Sequence, residues 1–151
     1  NLLAARGDSV LSQNLVDKKE LAYVVGSYAD IRAFDKGRLS VSMVLRDGKD
    51  VKVADKEMTK IIDDFPDKYL TAELLEKEKI KLLDGIEMIM DNLSDIISFV
   101  VLYIGNGHKI LDIKNIRKII KDISLEDVRN TAKIIFQKRN KILQIYSHPK
   151  S

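Results

Sequence analysis

The chain contains no cysteine, which excludes disulfides, thiolate-bound metal and a cysteine nucleophile, and leaves both the cytoplasm and the periplasm of a bacterium open as compartments. Aromatic side chains make up only 6% of the residues, and the 26 basic and 23 acidic side chains are interspersed instead of being gathered into tracts. The basic, aromatic-interleaved stripe that nucleic-acid binding requires is therefore missing, and no nucleic-acid partner is expected. Long apolar runs are missing too. The longest, Phe99 to Ile104, falls far short of the roughly 18–20 residues that span a bilayer, so it reads as a core helix and no membrane span is expected.

What is present suffices for one domain. At 151 residues and 45% hydrophobic, the chain can bury a single respectable core, and 1–151 is expected to be one domain. The opening Asn1-Leu2-Leu3-Ala4-Ala5 has no Met and reads as the tail of a helix. A fragment of a longer chain is expected, with an opening strand upstream.

Asp8 or Ser9 is placed to cap a short helix carrying Val10, Leu11 and Leu15. Leu21 to Tyr28 is almost wholly apolar, with Tyr23, Val24 and Val25 favouring extended backbone, and reads as an inner strand. Leu39 to Leu45 alternates apolar residues with Ser40, Ser42 and Val44, the period of a half-buried strand with one small, hydroxylated face. Asp30 to Gly37 joins the two as a hairpin connection. Ala54, Met58, Ile61, Ile62 and Phe65 form one helical stripe that Pro66 should end. Thr71 should cap a longer helix with Leu75, Leu82, Leu83, Ile86, Ile89 and Leu93 on one side, and Ser94 should restart the chain into an apolar helix stopping at Gly105. Ile113, Ile116, Ile119, Ile120 and Ile123 mark a further helix; Ser124 to Asp127 is a capping motif for the next, with Val128, Ala132 and Ile135 inward. Lys141 to Ser147 should close as a strand. The expected class is α+β in two layers, a mainly antiparallel sheet with helices packed on one face.

Sites with self-sufficient chemistry are scarce. His108 and His148 have no second imidazole at i+4, so no metal site is expected on this chain. Glu73, Glu76 and Glu78 read as a solvated helix face shared with Lys77, Lys79 and Lys81. The serines lack a histidine partner, and the glycines form no phosphate-binding loop; Gly105-Asn106-Gly107 is a turn after a helix. Tyr23 stands apart. Just inside an apolar strand, its phenol either buries its ring with the hydroxyl on a backbone carbonyl or projects into a cavity, where it can donate to a developing oxyanion.

Gly7, Ser9, Leu11, Leu15, Asp17, Lys18, Leu21, Ala22 and Tyr23 stand in the places of a junction of the form G-G-x-S-S-R-L-F-x-x-V-R-E-K-x-G-L-A-Y. Thr71 to Leu82 is similar to a helix of the form T-x-x-E-L-x-x-x-K-x-x-L, and Ile123 to Val128 to V-T-x-E-D-V. In these respects the chain resembles the pitrilysin/insulinase type of zinc metallopeptidase, mitochondrial-processing-peptidase-like, in the zinc-free inactive domain. The resemblance covers nearly the whole chain in order.

That resemblance implies a metallohydrolase-like half of a clamshell peptidase, in which a facing domain or subunit holds the zinc and hydrolyses peptide bonds. This chain would then form half of a peptide-binding chamber, with Ser40 and Ser42 turned toward the peptide and Tyr23 as candidate oxyanion donor. It would carry no cofactor itself and be inactive alone. Two departures stand out. The Arg that the family pairs with its Tyr falls on Val16, and Glu20 replaces the glycine before Leu-Ala-Tyr. The alternative is a core-type structural subunit with no proteolytic role.

Overall fold

The computed structural model describes residues 2–4, 7–30, 38–137, 142 and 144. A π-helical segment, Ser12–Lys18, leads into two antiparallel strands, β1 (Ala22–Asp30) and β2 (Arg38–Leu45). Among the described residues six α-helices follow: α1 (Val51–Asp64), α2 (Ala72–Met90), α3 (Leu93–Gly105), α4 (Ile110–Lys114), α5 (Ile116–Asp122) and α6 (Leu125–Ile135). The α+β class and the strand pairing are as expected. The hairpin connection and the closing strand expected at Lys141 to Ser147 fall largely outside the described residues.

The core lies on one face of the sheet. Ala22 and Val25 of β1 meet Leu11 and Leu15 from the first helical segment, Met58, Ile61 and Phe65 from the α1 side, and Ala132 of α6, with Val41 and Met43 of β2 packed against them. Leu11 and Leu15 are fully buried, so each contributes on the order of 1.5–3 kcal/mol of apolar transfer energy. Ser9 receives the amide of Ser12 on its hydroxyl at 3.3 Å, Thr71 caps α2 by accepting from the Leu74 amide at 3.1 Å, and Ser124 and Asp127 close a reciprocal capping box. These are the caps that the hydroxyl spacing implied.

Several expectations are corrected. α1 stops at Asp64, just before Pro66 as expected, but the chain does not leave the helical path: Phe65–Tyr69 continues as a π-helical turn in which the Leu70 amide reaches back to the Phe65 carbonyl at 3.0 Å. A proline lacks only its own amide, and widening the turn re-pairs the carbonyls around it. Asn92, not Ser94, caps α3, its side chain accepting from the Ser94 amide. The isoleucine-rich helix is two helices broken at Asn115, and Ile135 is exposed whereas Ala132 is buried.

Two corrections concern burial. The α2 face expected to be solvated contains Glu78 and Lys79, which are 8% and 9% exposed, while Leu82 of the expected apolar stripe is open to solvent. Lys79 donates to Glu76 and to the Lys121 carbonyl, and Lys81 pairs with Glu78. Long stems bury along apolar neighbours while their charges stay paired, so charge patterning alone misjudges them. Phe99 to Ile104 is not a core helix either: α3 has no buried residue, and Val101 and Leu102 are exposed. Its packing partners among the described residues are α2 and α4. No single helix among the described residues is long and apolar enough to cross a membrane.

Candidate functional site

The junction before β1 is built by backbone hydrogen bonds. The Lys19 amide returns to the Asn14 carbonyl at 3.1 Å and the Leu21 amide to the Leu15 carbonyl at 2.8 Å. Between them Glu20 adopts φ +48°, the left-handed turn that ends a helix and starts an extended segment. Glycine takes that conformation without a Cβ clash, so the backbone here keeps the shape a glycine would favour although Glu20 occupies it.

The strand then carries one extra residue. Ala22 pairs with Leu45 and Val24 with Val44, leaving Tyr23 as a β-bulge. Ala22 and Val25 are both buried in the core, while Tyr23 is 55% exposed and Val24 half-buried. The bulge therefore turns Tyr23 and Val24 toward the face away from the helices. Tyr28 is 65% exposed and pairs with Ser40; Gly26 pairs with Ser42, which is exposed. Tyr23, Tyr28, Ser40, Ser42 and Val44 thus share one open sheet face. Strict alternation would set Tyr23 and Tyr28 on opposite faces, and the bulge is what puts them on the same one.

Tyr23 has defined neighbours. Its hydroxyl donates to Asp47 Oδ2 at 3.4 Å, a long and easily exchanged hydrogen bond. The Arg46 guanidinium lies 5.6 Å from its ring centroid, within cation–π range. Arg46 Nε also donates to the Ala22 carbonyl at 3.2 Å, and the Arg46 amide to the Leu21 carbonyl at 3.0 Å. The sequence points to Tyr23 but not to Arg46. The available signal was register: antiparallel pairing of the two strands brings the residue after Leu45 against the start of β1.

Val16 is partly buried against the core, where a guanidinium would be costly, and its apolar side chain suits that packing. Among the described residues no group of three His, Asp or Glu side chains converges, and the His108 ring stacks on Tyr103 at 4.4 Å between centroids. His148 lies outside the described residues.

No family model and no curated protein matches the chain. Solved structures do. The inactive peptidase domain of a putative zinc protease from Bordetella parapertussis superposes with a TM-score of 0.81 at 20% identity, covering 99% of this chain and 80% of that one. A putative zinc protease from Bordetella pertussis Tohama I gives a TM-score of 0.78 at 21% identity over 92% of this chain and 75% of that one. A protease from Helicobacter pylori gives 0.75 at 19% identity over 88% of this chain, which spans only 32% of that protein. The chain therefore shares the fold of these three structures.

Proposed function

We propose that this chain is the zinc-free half of a peptidase-like protein, holding an extended peptide against its open sheet face while a facing domain supplies the zinc and the hydrolytic chemistry. The likeness to an inactive peptidase domain supports this reading. The observation that carries it is the bulge that turns Tyr23 onto the same exposed sheet face as Tyr28, Ser40 and Ser42. Phenol and hydroxyl groups on a pleated surface suit a peptide, offering apolar area together with hydrogen-bond donors and acceptors. Helices form the outer wall, and Tyr23 donates to the oxygen on which charge develops when the peptide carbonyl is attacked. To do so it exchanges its long bond to Asp47, which then accepts from another donor or from water.

The test is Tyr23→Phe in the assembled protein. Loss of an oxyanion donor costs on the order of 10²–10³ in turnover, and the exposed ring's substitution leaves folding unchanged. The chain alone binds no stoichiometric zinc and cuts no peptide; zinc binding and hydrolysis by the chain alone would end this reading.

A second reading, a structural core subunit without a proteolytic role, is favoured by Val16, whose packing against the core leaves no guanidinium at that position. It predicts that Tyr23→Phe changes neither turnover nor assembly.

A further inference from the structure

We propose that Arg46 is an anion-binding and specificity-determining residue of this face, taking an Asp or Glu side-chain carboxylate of the peptide beside Tyr23. The proposal rests on the peptide-holding reading above and gives it a substrate class. Arg46 follows the last residue of β2 and is held on two sides, by the Tyr23 ring at 5.6 Å and by the Ala22 carbonyl at 3.2 Å from Nε. That bond uses one of five guanidinium donors. No carboxylate among the described residues forms an ion pair with it, and adjacent Asp47 accepts from Tyr23 instead. The guanidinium is thus half-buried, pre-oriented and unneutralised. The outward residues Tyr23, Val24, Tyr28, Ser40, Ser42 and Val44 bring no charge of their own, and the Asp47 carboxylate at the Tyr23 end is engaged by the Tyr23 hydroxyl. A planar fork matches a carboxylate in two parallel hydrogen bonds, and ordering by ring and carbonyl lowers the entropy lost on binding.

The experiment measures, by fluorescence anisotropy with the full-length protein, two labelled extended peptides that differ only in carrying Glu or Gln at alternate positions. The wild type is expected to favour the Glu peptide by roughly tenfold, the worth of one charge-assisted hydrogen bond at a half-exposed site. Arg46→Gln removes that preference while leaving the Gln peptide's affinity within about twofold, and Arg46→Lys retains part of it because the charge survives without the fork. Thermal unfolding of each variant establishes that it is folded. Equal binding of both peptides by the wild type, or a preference that survives Arg46→Gln, overturns the Arg46 assignment and leaves the peptide-holding reading standing. Failure of both peptides to bind wild-type protein overturns both.

Discussion

Ala22 and Val25 point into the same core although two residues separate them along one strand. An unbroken strand cannot do this, since side chains alternate with a period of two. The bulge at Tyr23 inserts the extra residue that restores Val25 to the buried face, and so Tyr23 is turned outward by what the core requires on either side of it.

Deleting Tyr23 should therefore be tolerated. It joins the Ala22–Leu45 pair directly to Val24–Val44 and leaves every buried residue on its own face. The expected fall in Tm is no more than about 2–4 °C, the equivalent of roughly 1 kcal/mol for a chain of 151 residues. Deleting Gly26, which sits in the regular ladder opposite Ser42, flips one flank of β1 and should cost several times as much. Thermal circular dichroism on both variants decides the matter, and equal losses would refute the bulge as the source of the pattern.

Glu20 holds a left-handed backbone at φ +48°. Glu20→Gly removes the Cβ clash, worth about 1–2 kcal/mol, and offsets part of that gain by loosening the unfolded chain. A net stabilisation of roughly 0.5–1 kcal/mol is expected in urea unfolding, with Glu20→Val destabilising because a β-branched residue suits that region worse. A destabilised glycine variant would contradict the strain.

Lys79 ties α2 to the end of α5, donating from Nζ to the Lys121 carbonyl at 3.0 Å and to Glu76 at 2.8 Å. Lys79→Met keeps the apolar stem and leaves that carbonyl without its donor, a loss of about 1–3 kcal/mol. Hydrogen exchange should show α5 opening more readily while β1 is unchanged.

Acid should loosen the surface pairs. The hydrogen bond from Lys77 holds Asp8 below its usual carboxylate range, that from Lys19 does the same for Glu57, that from Arg117 for Glu87, and the Ser124 hydroxyl and amide for Asp127. Each group titrates lower in the folded than in the unfolded chain, so the unfolded state takes up protons first as pH falls. The stability these pairs contribute is full above the ordinary carboxylate range and is lost as pH drops through it, from about pH 4 downward. Tm measured against pH should fall there, and a double Asp8→Asn, Glu57→Gln variant should show a shallower fall and a lower neutral Tm. Salt should shrink the difference because these carboxylates are exposed.

Much of the architecture was legible in order. Thr71 and Ser124 cap the helices they announce because a side-chain oxygen three residues before a free amide satisfies it wherever the helix is later packed. Leu39 to Leu45 alternates visibly, and its partner strand was recognisable from β-branched and aromatic content. The burial of Glu78 and Lys79 and the exposure of α3 are not legible in the sequence, for the opposite reason. Their burial depends on which other element arrives, and a charge pattern or an apolar run does not contain that information.

The sequence by itself determined the local events: the caps, the helical stripes, the two extended segments, and a tyrosine at the start of the first one. Each is a contest among residues a few positions apart. Tertiary packing decided what that tyrosine does. The core's demand for both Ala22 and Val25 forced the bulge, the bulge aimed Tyr23 at the open face, and antiparallel register then delivered Arg46 and Asp47 to it from more than twenty residues away in the chain.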